Sequence, residues 1–291
     1  MEGEKDTMKV FLDCFPCFLR QALVAARKAT DDVHVQREAL NRVARMMPEL
    51  PMDATPVAIG REVYRVVSEV TGCKDVFCGA KREYNDRALE LLPALRKRVE
   101  NSADSLLTSL RIAAAGNVID FGASSSFDLE RSIEESLSDG ISLVDYPALS
   151  DGLERTREIL YIGDNAGEIV FDRLVVEELN RLGKRTTFVV RGGPIINDVT
   201  LEDAEYVGMD RVAEILPSGS DEPGTTLSLC SAEFVERFSS SKLIIAKGQG
   251  NYEGLSDEPA PLFFLLKVKC AVVARALDAQ VGEIALRAQD I

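Results

Sequence analysis

Histidine is almost missing from this chain: His34 is the only one among 291 residues. That excludes a Ser-His-Asp triad or a multi-histidine zinc centre built within one chain. His34 itself follows Asp31-Asp32 in a polar stretch and reads as an ordinary surface residue. Basic residues are also in deficit, 34 against 48 acidic ones, and the formal net charge is −14. A field of that sign repels nucleic acid and anionic membrane surfaces, so neither is expected as a partner. It repels an anionic substrate too, unless a cation and local lysines invert the potential in one cleft. Tryptophan is absent as well, and nothing follows from that.

Long apolar runs are lacking, and no stretch approaches the roughly 18 residues needed to span a bilayer. The first residues, Met1 to Asp6, are acidic and polar, unlike the basic start and apolar middle of a signal peptide. Six cysteines are too few for a secreted disulfide scaffold of this length. The expectation is a cytoplasmic protein whose thiols are mostly reduced. No phosphate-binding P-loop occurs, and Gly248-x-Gly250 lacks the third glycine of a dinucleotide fingerprint.

What is present divides into two kinds of patterning. Residues 1–115 read as helical. Leu19, Leu23, Ala26 and Ala29 recur on one face, and Ala39, Leu40, Val43 and Met47 continue the pattern to Pro48. Further helices fit Pro56 to Val70, closed by Gly72, then Tyr84 to Val99 and Ala103 to Ala115. A connecting segment, 116–157, contains Gly116-Asn117-Val118-Ile119-Asp120, and within it Leu137 to Ser150 is the hardest stretch to assign. Its acidic run, Asp128, Glu130, Glu134 and Glu135, has the spacing of a solvated helix face. From 158 to 291 strand-like runs alternate with helices, with strands expected at 159–163, 186–191, 212–216, 242–246 and 269–274. That order predicts a Rossmann-like, three-layer α/β sheet domain, mainly parallel, beside an N-terminal helical bundle.

Three polar loops follow strands and should open on one rim of the sheet. They are Asp164-Asn165-Ala166-Gly167-Glu168, Arg191-Gly192-Gly193-Pro194-Ile195-Ile196-Asn197-Asp198 and Lys247-Gly248-Gln249-Gly250-Asn251-Tyr252-Glu253. Any one alone reads as helix caps and turn formers, with Thr200 and Asp203 fitting a capping box after the second. Three at successive strand ends argue for a site, because open α/β sheets bind ligands there. Asp and Asn oxygens suit Mg²⁺ or Mn²⁺, and the affinity order lets Co²⁺ or Ni²⁺ bind as well. Glycines such as Gly248 let backbone N–H groups approach a ligand closely.

These loops resemble the signature blocks of domain-of-unknown-function family 89, the metal-dependent damage-control phosphatases. Three further blocks agree in order: Asp13-Cys14-Phe15-Pro16-Cys17, Gly116-Asn117-Val118-Ile119-Asp120-Phe121-Gly122 and Lys267-Val268-Lys269-Cys270. The first is similar to the N-terminal Cys-x-x-Cys of the stand-alone prokaryotic branch. The likeness spans about residues 8–285. One departure is Asp75-Val76-Phe77, where the family often has Asp-Pro-aromatic, ahead of Lys81 and Asn85.

The resemblance implies a divalent metal ion (Mg²⁺, Mn²⁺, Co²⁺ or Ni²⁺) on Asp164, Asn165 and Asp198, and a small phosphorylated metabolite as substrate. It implies that Asn117 and Asp120 line the same cleft and that Asn251 and Glu253 contact substrate or water. Lys247 and one of Lys267 or Lys269 would pair with phosphate, with Gly248 alongside. Chemically, phosphoryl transfer needs its equatorial oxygens neutralised and its attacking and leaving groups held in line. The attacking group is either Asp164 itself or a water deprotonated by a carboxylate such as Asp120 or Glu168.

Cys14 and Cys17 fit three readings: buried or structural thiols, part of a metal site together with Cys73 and Cys78, or a redox pair. Cys230 and Cys270 lie in apolar surroundings and read as core. Arg96-Lys97-Arg98 reads as a favourable helix end rather than an anion site. The competing functions are therefore a metal-dependent phosphomonoesterase, a non-catalytic phosphometabolite-binding module using the same cleft, and a zinc or redox protein centred on the cysteine pair.

Overall fold

The computed structural model describes residues 8–116 and 143–289. Its first segment is helical, as the periodicity predicts, with one difference. The pattern from Leu19 to Met47 is two helices, α1 (Cys14–Ala29) and α2 (Val33–Met46). The Asp32 carboxylate accepts from the backbone N–H groups of His34 and Val35, so the chain stops and restarts there. Helix α3 (Pro56–Thr71) has Thr55 as its cap, Pro56 in the first turn and Gly72 at φ +71° beyond its end. Alanines 22, 25 and 26 of α1 are fully buried against Ala39 and Val43 of α2 and Val63 and Val67 of α3. Small side chains at this seam let the three helices approach closely. Helices α4 (Cys78–Glu100) and α5 (Ser105–Gly116) then cross to the sheet.

Asn117, Asp120 and the acidic run at 128–135 lie outside the described residues. The chain is described again from Leu143, and α6 (Tyr146–Arg155) leads into β1 (Glu158–Ile162). Then follow α7 (Glu168–Arg181), β2 (Arg185–Val190), α8 (Leu201–Tyr206), β3 (Glu214–Pro217), α9 (Ala232–Ser240), β4 (Ile244–Lys247) and α10 (Gly248–Leu255). The last elements are β5 (Leu262–Lys267), α11 (Ala271–Leu277) and β6 (Ile284–Gln289). The strand expected at 269–274 is thus mostly helix α11, and the real fifth strand lies earlier. Leu262-Phe263-Phe264-Leu265-Leu266 is buried on both sheet faces, so it carries no alternation to mark it as a strand. The Val272-Val273 pair has strand-like side chains, but the helix is what lets them pack against the sheet core.

The sheet order is β3-β2-β1-β4-β5-β6, parallel throughout except for the antiparallel β5–β6 pair. Alternate residues of β1 face opposite layers. Ile159 and Tyr161 pack with α4, α5 and α7, and Leu160 and Ile162 pack with α9, α10 and α11. This is the three-layer α/β arrangement the sequence predicts. Strand order reverses between β1 and β4, which opens a crevice beyond their carboxyl ends. Helix α3 meets α10 beside that crevice, so the helical segment supplies its outer wall. No helix among the described residues is long and apolar enough to cross a membrane.

Candidate active site

Two loops are zipped together in the crevice by their backbones. Ala166 N–H donates to the Asn197 carbonyl at 2.8 Å, and Val199 N–H donates to the Asp164 carbonyl at 2.9 Å. Asn165 and Asp198 form an isolated bridge between these contacts. The loop after β1 and the loop after β2 thereby bring Asp164, Asn165 and Asp198 to one place. Ile196, just before Asn197-Asp198, has φ +43°, a conformation costly for a β-branched residue. Strain of this kind marks a loop held in place by its surroundings.

Gly248 is a close-approach glycine. It opens α10 at φ +79°, and a Cβ there would lie 1.9 Å from Asp164 Oδ2. Burial, then the neighbouring Asp198 and Glu168, push the Asp164 carboxyl up to about 7. Burial raises the Asp198 carboxyl too, against the opposing pull of Arg191. Two buried carboxylates side by side create a demand for positive charge.

Part of that demand is met by Arg191, whose role the sequence reading missed. Its Nε donates to Asp198 Oδ2 at 2.7 Å, and its Nη1 donates to Thr225 and Asn251 at 3.1 and 3.2 Å. Its Nη2 lies 3.8 Å from Asp164 Oδ1 and has no hydrogen-bond partner among the described residues. The available signal was an arginine closing the apolar strand Thr187-Phe188-Val189-Val190, where a solvated terminus would not need one.

The sequence-derived site residues separate into two layers. A cavity of about 410 Å³ is lined by Asp164, Asn165, Asp198, Glu253, Lys269, Cys14 and Cys17. Glu253 is pushed up to about 7 by burial, opposed by the hydrogen bond from Gln249 and the charge of Lys269. Lys269 lines the same cavity, and its charge favours the ionised forms of Asp164, Asp198 and Glu253. Lys267 is not among the lining residues of this cavity. Of the two lysines, only Lys269 lines it.

Lys247, Asn251 and Glu168 lie beneath the cavity. Lys247 Nζ contacts Glu168 Oε1 and donates to Asp172 Oδ1 at 2.7 Å and the Ala113 carbonyl at 3.2 Å. An ammonium has three donors, so the expected pairing of Lys247 with phosphate is replaced by an internal network. Burial alone would lower its pKa, but Asp172 and Glu168 outweigh that and hold it charged. Asn251 is likewise fully buried: its amide donates to the carbonyls of Gly163 and Lys247, and its oxygen accepts from Thr225 and Arg191. It clamps the ends of β1 and β4 rather than reaching the cavity. Asp172, which also accepts from Tyr161 at 2.8 Å, is a further member that sequence patterning hid on a helix face.

Helix α4 braces the loops from behind. Asn85 Oδ1 accepts from Gly167 N–H at 2.7 Å, while Asn85 and Lys81 both donate to Asp203. Asp203 accepts from Thr200 N–H at 3.0 Å, completing the expected cap of α8. Phe77 N–H donates to Asp75 at 3.0 Å, so the turn at Asp75-Val76-Phe77 forms without the family's usual proline. Among the cysteines, all six are free thiols, and Cys270 lines the cavity instead of lying in the core. Cys230 is half-buried, with its thiol pushed up to about 12 by burial.

The donor chemistry of Asp164, Asn165 and Asp198 fits a hard divalent cation. Asn165 Nδ2 donates to Asp164 Oδ2 at 2.7 Å and to Glu168 at 3.3 Å, which turns its carboxamide oxygen the other way. Among the described residues no three Asp, Glu, Cys or His side chains converge as a cation cage.

An open parallel sheet with a braced, acidic crevice at its switch point is the framework of an α/β protein that handles a small polar ligand. Comparison narrows the class. The damage-control phosphatase ARMT1-like domain profile matches residues 10–285, and the chain belongs to that family. It is 32% identical to a damage-control phosphatase of Pyrococcus horikoshii, over 95% of this chain and 97% of that one. It is 31% identical to a damage-control phosphatase of Archaeoglobus fulgidus, over 95% and 98%. The crystal structure of a family 89 protein from Pyrococcus horikoshii superposes with a TM-score of 0.90 at 32% identity, covering 97% of this chain and 99% of that one.

Proposed function

We propose that this protein is a phosphatase that hydrolyses small phosphomonoesters, such as sugar phosphates or damaged phosphometabolites, with a divalent cation (Mg²⁺, Mn²⁺, Co²⁺ or Ni²⁺) held by Asp164, Asn165 and Asp198. The observation that carries the reading is the backbone pairing of the two loops, which brings two carboxylates and a carboxamide together in a cavity that Lys269 also lines. The names of the relatives support phosphatase chemistry. A pure phosphate sensor would rely on arginine forks and backbone N–H groups, whereas this cavity offers acidic oxygens.

A bound divalent cation neutralises developing charge on the phosphoryl oxygens. Lys269 adds a point charge to the same group. Hydrolysis also needs a carboxylate, to attack phosphorus directly or to take the proton of the attacking water. We assign either task to Asp164, which lines the cavity, whereas Glu168 is buried outside its lining and paired with Lys247. Arg191, Lys247 and Asn85 act through others: they fix the carboxylates and the loop backbone before substrate arrives. The direct test is a screen of divalent metals against phosphomonoesters using chelator-stripped protein. The expected result is turnover restored by Mg²⁺, Mn²⁺, Co²⁺ or Ni²⁺. Full-rate hydrolysis by the stripped protein would remove the metal from the account.

A further inference from the structure

One part of the cavity lining is a face of α1. Asp13, Cys14, Cys17, Arg20 and Gln21 all line the cavity, at i, i+1, i+4, i+7 and i+8, which is one helix face. Cys17 accepts from Gln21 Nε2 at 3.3 Å, so the middle of this stripe is already tied to itself. Arg20 differs. It is exposed, it lines the cavity, and no ion pair or side-chain hydrogen bond engages its guanidinium among the described residues. Asp13 is the acidic group on the same stripe, but it stands seven residues away, about 10 Å along the helix axis. An arginine left open on a cavity whose other cation among the described residues is Lys269 offers a second anion contact.

We propose that Arg20 is a specificity-determining residue, reading an acidic group on the organic part of the substrate. Preferred substrates are then phosphomonoesters bearing a second anionic group, a carboxylate or another phosphate. A guanidinium fork matches either group in a bidentate pair, which a lysine cannot do. The proposal rests on the phosphatase reading, with Lys269 at the phosphoryl group and Arg20 at the far end of the substrate.

The test is a matched pair of substrates, 3-phosphoglycerate and glycerol 3-phosphate, which differ by a carboxylate in place of a hydroxymethyl group. The metal-loaded wild-type protein should favour the acid by at least about tenfold in kcat/KM, mainly through KM. Arg20→Ala should bring that ratio to near one by raising KM for the acid, and Arg20→Lys should keep an intermediate ratio. Thermal melting of both variants reports whether the fold survives. A wild-type ratio near one, or a ratio unchanged in Arg20→Ala, would overturn the assignment. So would an equal loss on both substrates, which would place Arg20 at the phosphoryl group. Turnover of p-nitrophenyl phosphate by the wild type reports on the phosphatase reading separately. If none of the three compounds is hydrolysed with any divalent metal, that reading fails and this one falls with it.

Discussion

The floor and the outer wall of the cleft are built on opposite terms. The floor, from the ends of β1, β2 and β4, is a closed set of buried charges: Lys247 with Glu168 and Asp172, and Arg191 with Asp198. Burying such groups is costly unless each is paired and hydrogen-bonded, so the network stands or falls as a unit. The wall, from α1 and α3, is held by apolar and alanine packing behind and presents loosely engaged polar groups in front. Rigid charge suits chemistry, which needs fixed positions for developing charge. A wall with spare hydrogen-bonding capacity suits recognition of a substrate. On the proposed reading, reaction belongs to the sheet side and selectivity to the helical side.

Substitutions on the floor should break activity or folding, and those on the wall should shift preference. Asp164→Ala should cost on the order of 10² to 10⁴ in turnover for a base or orienting role, and more for an attacking one. It should still melt cooperatively, because the side chain removed belongs to the cavity lining. Retention of most activity by this variant would place the chemistry elsewhere. Lys247→Met removes the cation between two buried carboxylates and should destabilise the fold by about 3–5 kcal/mol in urea unfolding. A loss below about 1 kcal/mol would show that the floor is not a single network. Of the two C-terminal lysines, Lys269→Ala should raise KM well above the wild-type value, and Lys267→Ala should leave steady-state kinetics near wild type. The smallest effect belongs to the cysteine pair. Cys14→Ser with Cys17→Ser should lose no more than about tenfold in turnover, about 1.4 kcal/mol. An inactive double variant that still folds would move the chemistry to the wall.

The acidity of Asp164 sharpens the same contrast. Its pKa is raised to about 7, above the unfolded value, so the metal-free fold binds this proton more tightly than the unfolded chain does. That contribution to stability is full below the unfolded pKa and is lost as pH rises through about 7. A cation needs the carboxylate form, so metal affinity should run the opposite way and weaken as pH falls below 7. Melting of chelated protein from pH 5 to 8, with and without Mn²⁺, should show the two curves diverging as pH rises. Parallel curves would mean that Asp164 does not hold the metal.

Much of this was legible in the sequence, and the failures have physical causes. Apolar runs ending in polar, glycine-bearing loops located β1, β2 and β4 and the crevice, because strands buried on both faces declare themselves by composition. Strand β5 was missed although it too is a continuous apolar run: no glycine-bearing polar loop follows it, and the β-branched pair in α11 drew the assignment away. The metal-ligand candidates were readable because loop carboxylates stand out from their surroundings. Arg191, Asp172 and the inward turn of Lys247 were not, since pairing across 79 residues, as between Lys247 and Glu168, leaves no local trace. The role of Arg20 was hidden similarly. A helix face says which residues travel together, but only the fold says what they look at.

The central claim is that Asp164, Asn165 and Asp198 hold one divalent cation on which hydrolysis depends. It is tested most directly by titrating Mn²⁺ into chelator-stripped protein by calorimetry while following phosphomonoester turnover, in the wild type and in Asp198→Asn. The account predicts one cation per chain in the wild type, activity rising in step with its binding, and both lost together in the variant. Turnover that does not follow metal occupancy, or an Asp198→Asn protein that binds and hydrolyses like the wild type, would contradict it.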